Sequence, residues 1–172
     1  MNLLGPFIIS ERTNSAENHL TANTNSLDII DLLDLQGAYG SAESLNYLGY
    51  SYLQGSGRIK RDFAKSKELF MKSLALHPDD VYANYYLGLM AMLGLGEAVD
   101  IPTAVLYFEK SAKSPEALNA LGVIYQSAPD TFEKDATILR PYGKIRKDAK
   151  KSKKFFDQAS ELGNYNSRYN LG

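Results

Sequence analysis

The chain has 172 residues, 19 Lys plus Arg against 20 Asp plus Glu for a net charge of -1, 44% hydrophobic residues and no cysteine. That length suits one domain, and with 23% charged residues the chain is a core-forming protein, not a disordered polyelectrolyte. Disulfide frameworks, zinc-thiolate sites, iron–sulfur clusters and cysteine nucleophiles are excluded, and the charge balance argues against non-specific nucleic-acid binding.

The first residues, MNLLGPFII, hold a short apolar run without a basic leader or cleavage site, so they do not read as a signal peptide. No stretch of 18 apolar residues is present to span a bilayer. A thiol-free chain is accepted by reducing and oxidising compartments alike, and there is no Asn-x-Ser/Thr sequon. Residues 1–26, rich in Asn, Thr and Ser, are predicted to be irregular or disordered. Residues 27–41 are predicted to be the second helix of a partial repeat. With Leu32-Leu33 set against Phe155-Phe156, Gly37 to Ser44 falls in register with Ser160 to Ser167.

From residue 42 two motifs alternate. Leu-Gly recurs at Leu48-Gly49, Leu87-Gly88, Leu121-Gly122 and Leu171-Gly172, each with a small residue four positions before the leucine: Ser44, Ala83, Ala117 and Ser167. An apolar pair follows the first three: Leu69-Phe70, Tyr107-Phe108 and Phe155-Phe156. Four positions before its second member stands Ser66, Ala104 or Ser152, and eight before it stands Asp62, Asp100 or Asp148. Spacings of four put these residues on one helical face, so each motif predicts an amphipathic helix of about three turns. The aspartates sit where a carboxylate can cap the second helix. Gly55-Ser-Gly57 and Gly94-Leu-Gly96 supply turns between helices, and Asp100-Ile-Pro102 and Ser114-Pro115 place prolines at helix starts.

A glycine inside a helix costs about 1 kcal/mol relative to alanine, so its recurrence after leucine predicts close approach of a neighbouring helix. The fold class expected is all-α, a right-handed α-solenoid of antiparallel helical hairpins. The repeats run 42–77, 80–113 and 115–162, the last with an insertion at 126–142, and 165–172 starts a further repeat. Within the insertion, Asp130 to Leu139 could form a short helix before Pro141. An array stopping at Leu171-Gly172 would expose the face meant for a next helix, which predicts that the chain is part of a longer array.

The run Ser44-x3-Leu48-Gly49-x2-Tyr52-x2-Gly55-x-Gly57-x4-Asp62-x-Ala64-Lys65-Ser66-x3-Phe70-x2-Ser73, with its counterparts from Ala83 to Ala112 and from Ala117 to Ser160, resembles the Sel-1-like repeat family, a relative of the tetratricopeptide repeat. The junction Leu76-His-Pro78-Asp-Asp departs toward the tetratricopeptide type. The resemblance implies a protein-interaction scaffold or adaptor. In the best-known eukaryotic case that means the substrate-recruiting adaptor of a membrane ubiquitin ligase in endoplasmic-reticulum-associated degradation. The compartment implied is then the endoplasmic reticulum lumen, and otherwise the cytoplasm. The alternatives are a cytosolic or bacterial signalling scaffold, or the regulatory repeat region of a larger enzyme.

Nothing in the chain looks enzymatic. The only histidines are His19, in a polar stretch, and His77, beside Pro78 at a junction. The Gly-x-Gly turns lack the rest of a phosphate loop, and metal-ligand spacings are absent. No catalytic residue, metal or cofactor is expected. The expected partner is a protein, as peptide or folded domain. Two surfaces are its candidate binding sites. One is an inner-face groove lined by Asn46, Tyr50, Tyr85, Leu89, Asn119 and Val123, drawing on tyrosine's large contact area, whose alternative is packing of these residues between repeats. The other is the basic segment with Lys150, Lys151, Lys153 and Lys154, whose alternative is a solvated helix face. Residues 101–172 carry 12 basic and 8 acidic groups against 7 and 12 in residues 1–100, so the array is electrically polarised. Nucleic acid is not an expected partner, since no aromatics are interleaved with the lysines.

Overall fold

Each helix start is fixed by a side-chain oxygen accepting from a backbone N–H two or three residues on, which satisfies a donor the helix cannot. In the computed structural model, which describes residues 33, 35, 39–55, 59–130 and 141–170, seven helices follow in order. They are α1 (Ala42–Gln54), α2 (Phe63–Leu76), α3 (Val81–Leu93), α4 (Ile101–Lys110), α5 (Pro115–Ser127), α6 (Ala149–Glu161) and α7 (Tyr165–Asn170). Asp62, Asp100 and Asp148 cap the second helix of each hairpin, accepting from Lys65, Thr103 and Lys151 N–H. Ser41, Asp80 and Ser114 cap the first helices. Gly55 and Gly94 end α1 and α3 in the left-handed region, at φ 73° and 66°. The predicted insertion helix, all of 1–26 and most of 27–41 lie outside the described residues.

The hairpins α1–α2, α3–α4 and α5–α6 pack through one repeated contact. A Cβ placed on Gly49, Gly88 or Gly122 would come within 2.9, 2.7 and 2.5 Å of the rings of Phe70, Phe108 and Phe156 respectively. Those rings are at most 1% exposed. The notch that leucine-glycine makes in each first helix therefore receives the phenylalanine that ends the following apolar pair. Around it the second helix donates to first-helix carbonyls: Ser66 Oγ to Gly49 at 2.7 Å, Ser152 Oγ to Gly122 at 2.9 Å and Ser111 Oγ to Val81 at 2.7 Å.

A second recurring bond closes the hairpin mouth. The N–H of each capping aspartate donates to the carbonyl three residues past the notch: Asp62 to Tyr52, Asp100 to Ala91 and Asp148 to Tyr125, at 2.9–3.0 Å. The third hairpin makes this bond although its connection is far longer, so the insertion leaves and rejoins the stack at an unchanged mouth. Its returning end lies on the preceding hairpin, where Ile101 N–H donates to the Pro141 carbonyl at 2.7 Å.

Between hairpins, Tyr86 stacks on Phe70 with ring centroids 5.2 Å apart and meets Tyr50 at 5.3 Å. Successive first helices touch each other, whereas no Cα of α2 approaches α4, nor α4 α6, within 8 Å. The stack is therefore curved, with α1, α3 and α5 as its inner layer and α2, α4 and α6 splayed outside. It is an α-solenoid, and no strand occurs among the described residues.

The notch makes a graded prediction. Overpacking a core costs about 1–3 kcal/mol, more than the roughly 1 kcal/mol of propensity alanine adds. Gly122→Ala is expected to destabilise most, Gly88→Ala next and Gly49→Ala least, following the three clearances. Denaturant unfolding reads the order, and a Gly122→Ala protein as stable as wild type would mean that Phe156 can step aside.

Candidate interaction surfaces

On the inner layer, one position of each first helix points at the start of the next. It is occupied by Asn46, Tyr85 and Asn119. Asn46 Nδ2 donates to Asp80 Oδ1 at 3.0 Å, the same oxygen that caps α3 by accepting from Ala83 N–H at 2.7 Å. Asn119 Oδ1 accepts from Ser167 Oγ at 3.0 Å and Asn170 Nδ2 at 3.1 Å in α7. Tyr85, 6% exposed, lies edge-on to Tyr86 and against Phe108.

These contacts favour packing between repeats over an open groove at Asn46, Tyr85 and Asn119. Tyr85, Leu89 and Asn119 are buried, so they hold successive hairpins together and offer no free contact area. Asn46, Tyr50 and Val123 of the expected lining stay half-open, Asn46 with its amide engaged by Asp80. What the inner layer does expose is Tyr47, at 39%, and Tyr82, at 47%, with the carboxylates of Glu43 and Glu116 in the first turns of α1 and α5. Ser114 Oγ donates to Glu116 Oε2 at 2.7 Å and steadies that carboxylate. Asp80 and Glu116 were within reach of sequence reasoning, since each belongs to a helix start whose position the leucine-glycine spacing fixes.

Burial pushes the phenols of Tyr85 and Tyr86 well above the ordinary tyrosine range. The Glu116 carboxylate adds to the effect on Tyr85, and Tyr50, Tyr85, Glu116 and Tyr82 add to that on Tyr86. The rings of Tyr50 and Tyr85 both meet that of Tyr86, at centroid distances of 5.3 and 5.2 Å.

The outer surface of α6 is different. Lys150, Lys151, Lys153 and Lys154 are all exposed. Lys151 Nζ lies 4.9 Å from the centroid of the Tyr125 ring, which in turn stacks on Phe155. Lys153 borders a shallow depression of about 160 Å³ shared with Gln126, Lys147, Ser152, Phe156 and Asn170. Arg146 is turned inward and donates to the carbonyls of Gly143 and Ile145. Among the described residues there is no cluster of three or more potential metal ligands, and no helix is long and apolar enough to cross a membrane.

Unfolded tyrosines ionise near pH 10, whereas Tyr85 and Tyr86 stay protonated in the folded chain. Above that pH the native state holds more protons than the unfolded one, so stability is lost as pH rises. The melting temperature is expected to fall more steeply above about pH 10 in wild type than in Tyr85→Phe/Tyr86→Phe. Parallel curves would assign the alkaline loss to other groups.

The fold is similar to that of known proteins. The Sel1 repeat profile matches residues 42–76, 81–114 and 141–164, more than half of the chain. No curated protein matches it in sequence. The fold is similar to that of a protective antigen of uropathogenic Escherichia coli with an SLR fold, at TM-score 0.66 and 27% identity, covering 83% of this chain and 27% of that one. It is also similar to a Sel1 repeat protein from Oxalobacter formigenes, at TM-score 0.64 and 21% identity, covering 83% of this chain and 52% of that one. The chain thus spans about a quarter and a half of the lengths of these two proteins. With three stretches matched over more than half of its length, the chain belongs to the Sel1 repeat family.

Proposed function

We propose that this chain is a non-enzymatic protein-interaction scaffold whose outer layer docks an acidic segment of a partner on α6. Sel1 repeat proteins generally mediate protein–protein interactions, and the fold is typically a scaffold without catalysis. The observation that carries the acidic partner is the placement of the lysines. Lys150 and Lys151 stand in the first turn of α6, where the helix macrodipole opposes positive charge. Lys150 with Lys153 and Lys154, and Lys151 with Lys154, are like-charged pairs at helical contact spacing. Among the described residues no carboxylate lies within 4 Å of any of the four. Lys151 gains from the Tyr125 ring, and a partner's carboxylates would relieve the remaining repulsion.

The narrower role, a substrate-recruiting adaptor of a membrane ubiquitin ligase in endoplasmic-reticulum-associated degradation, draws on family resemblance alone. The bacterial origin of the similar antigen at 27% identity favours the alternative of a bacterial scaffold.

A fluorescent glutamate-rich peptide tests the acidic-partner reading. Wild type is expected to bind it with an affinity that falls as salt is added. Lys150→Glu/Lys151→Glu/Lys153→Glu/Lys154→Glu should weaken binding about tenfold or more, while helicity is kept or raised because the new acids suit the helix start. Equal binding by both proteins would sink the reading.

A further inference from the structure

The outward side of α6 carries charge of both signs in a fixed order. Lys150, Lys154, Asp157 and Glu161 follow one another at steps of four, three and four, which lines them up in one stripe along the helix. Ser152, Phe156 and Ala159, the buried residues of α6, lie on its opposite side. Lys150, Lys154 and Glu161 are exposed and Asp157 is half-buried. The stripe therefore begins basic and ends acidic.

Neither half is explained by the helix itself. The macrodipole favours acids at the start of a helix and bases at its end, and this stripe has them reversed. Lys153 and Lys154 precede Asp157 by four and three residues, the poorer order for an ion pair along a helix. Among the described residues, neither Asp157 nor Glu161 has a basic group within 4 Å. Charges of both signs thus stand side by side without pairing.

Turned end for end, the stripe is complementary to itself. A second α6 laid antiparallel, with a two-fold axis crossing between Phe155 and Phe156, puts Lys150 opposite Glu161 of the second copy and Lys154 opposite Asp157 of the second copy. Symmetry repeats both pairings. The opposed macrodipoles attract as well, because each basic helix start meets a negative helix end. We infer that α6 is a self-association surface, pairing antiparallel with α6 of a second copy of this chain. The inference rests on the reading of α6 as a dock for acid and names that acid as the C-terminal half of the same helix. A uniformly acidic segment running the length of α6 would satisfy the lysines but be repelled by Asp157 and Glu161, whereas a second copy meets all four residues with the opposite sign. Exposed ion pairs are individually weak and screened by salt, so the dimer is loose and forms at low ionic strength.

Sedimentation velocity across a range of protein concentrations is the test. Wild type is expected to pass from monomer to dimer as concentration rises at low salt, and to return to monomer as salt is added. Lys150→Glu/Lys154→Glu and Asp157→Lys/Glu161→Lys should each weaken self-association about tenfold or more, because every pairing in the stripe becomes like-charged. Both double changes suit the macrodipole, so helicity and melting temperature should hold or rise. Mixed in equal amounts, the two variants should associate with each other, since every contact is again between opposite signs. A wild type that stays monomeric at low salt, or a mixture that associates no better than either variant alone, overturns the inference. Binding of the glutamate peptide then separates the two readings: if it is retained, α6 still docks acid, and if it is lost, both fall together.

Discussion

The contact between a glycine notch and a buried phenylalanine ring sets the distance at which the two helices of every hairpin lie. With a 2.5–2.9 Å clearance to an imaginary Cβ, no other residue type fits at 49, 88 or 122 without moving the ring. The close approach in turn brings Ser66 and Ser152 within hydrogen-bond reach of the carbonyls of the notch glycines themselves. In the second hairpin Ala104 takes that place, and Ser111 supplies a bond about two turns further along instead. Each hairpin thus keeps at least one buried hydroxyl bond across its seam, which satisfies a polar group that burial would otherwise penalise.

The same contact shapes the stack. Phe70, seated in the notch of its own hairpin, presents its other face to Tyr86 of the next. A ring that is both filling for one layer and platform for another couples the two spacings. Successive first helices are drawn together over these rings while the second helices stay apart, so curvature follows from where the aromatics sit. The long connection of the third hairpin does not perturb this, because Asp148 closes the mouth with the bond that Asp62 and Asp100 make.

Much of this was legible in the residues. The leucine-glycine spacing located the notch, the aromatic pair located its filler, and the aspartates eight residues before each filler are the caps. The inner groove was legible only in part. Helical periodicity assigns Asn46, Tyr85 and Asn119 to one face, and that face does point along the inner layer. Periodicity within a helix does not reveal which neighbour covers the face, however, and here the start of the next first helix covers it. The exposed rings fell elsewhere, on Tyr47 and Tyr82. The lysines of α6 needed no such information, since a run so charged has only solvent or a partner to face.

Sorting of charge follows from the same architecture. A first helix has neighbours on most sides, so few of its positions reach water, and a lysine there would bury its stem beside an aromatic and lose hydration. Acids survive in this layer only at helix starts, where backbone N–H groups and the macrodipole compensate them, as at Glu43, Asp80 and Glu116. A second helix has open space outside it, and lysines collect there. The capping rules that start the inner helices therefore leave a line of carboxylates along the concave side. In α1, α3 and α5 no Lys, Arg or His stands among these carboxylates.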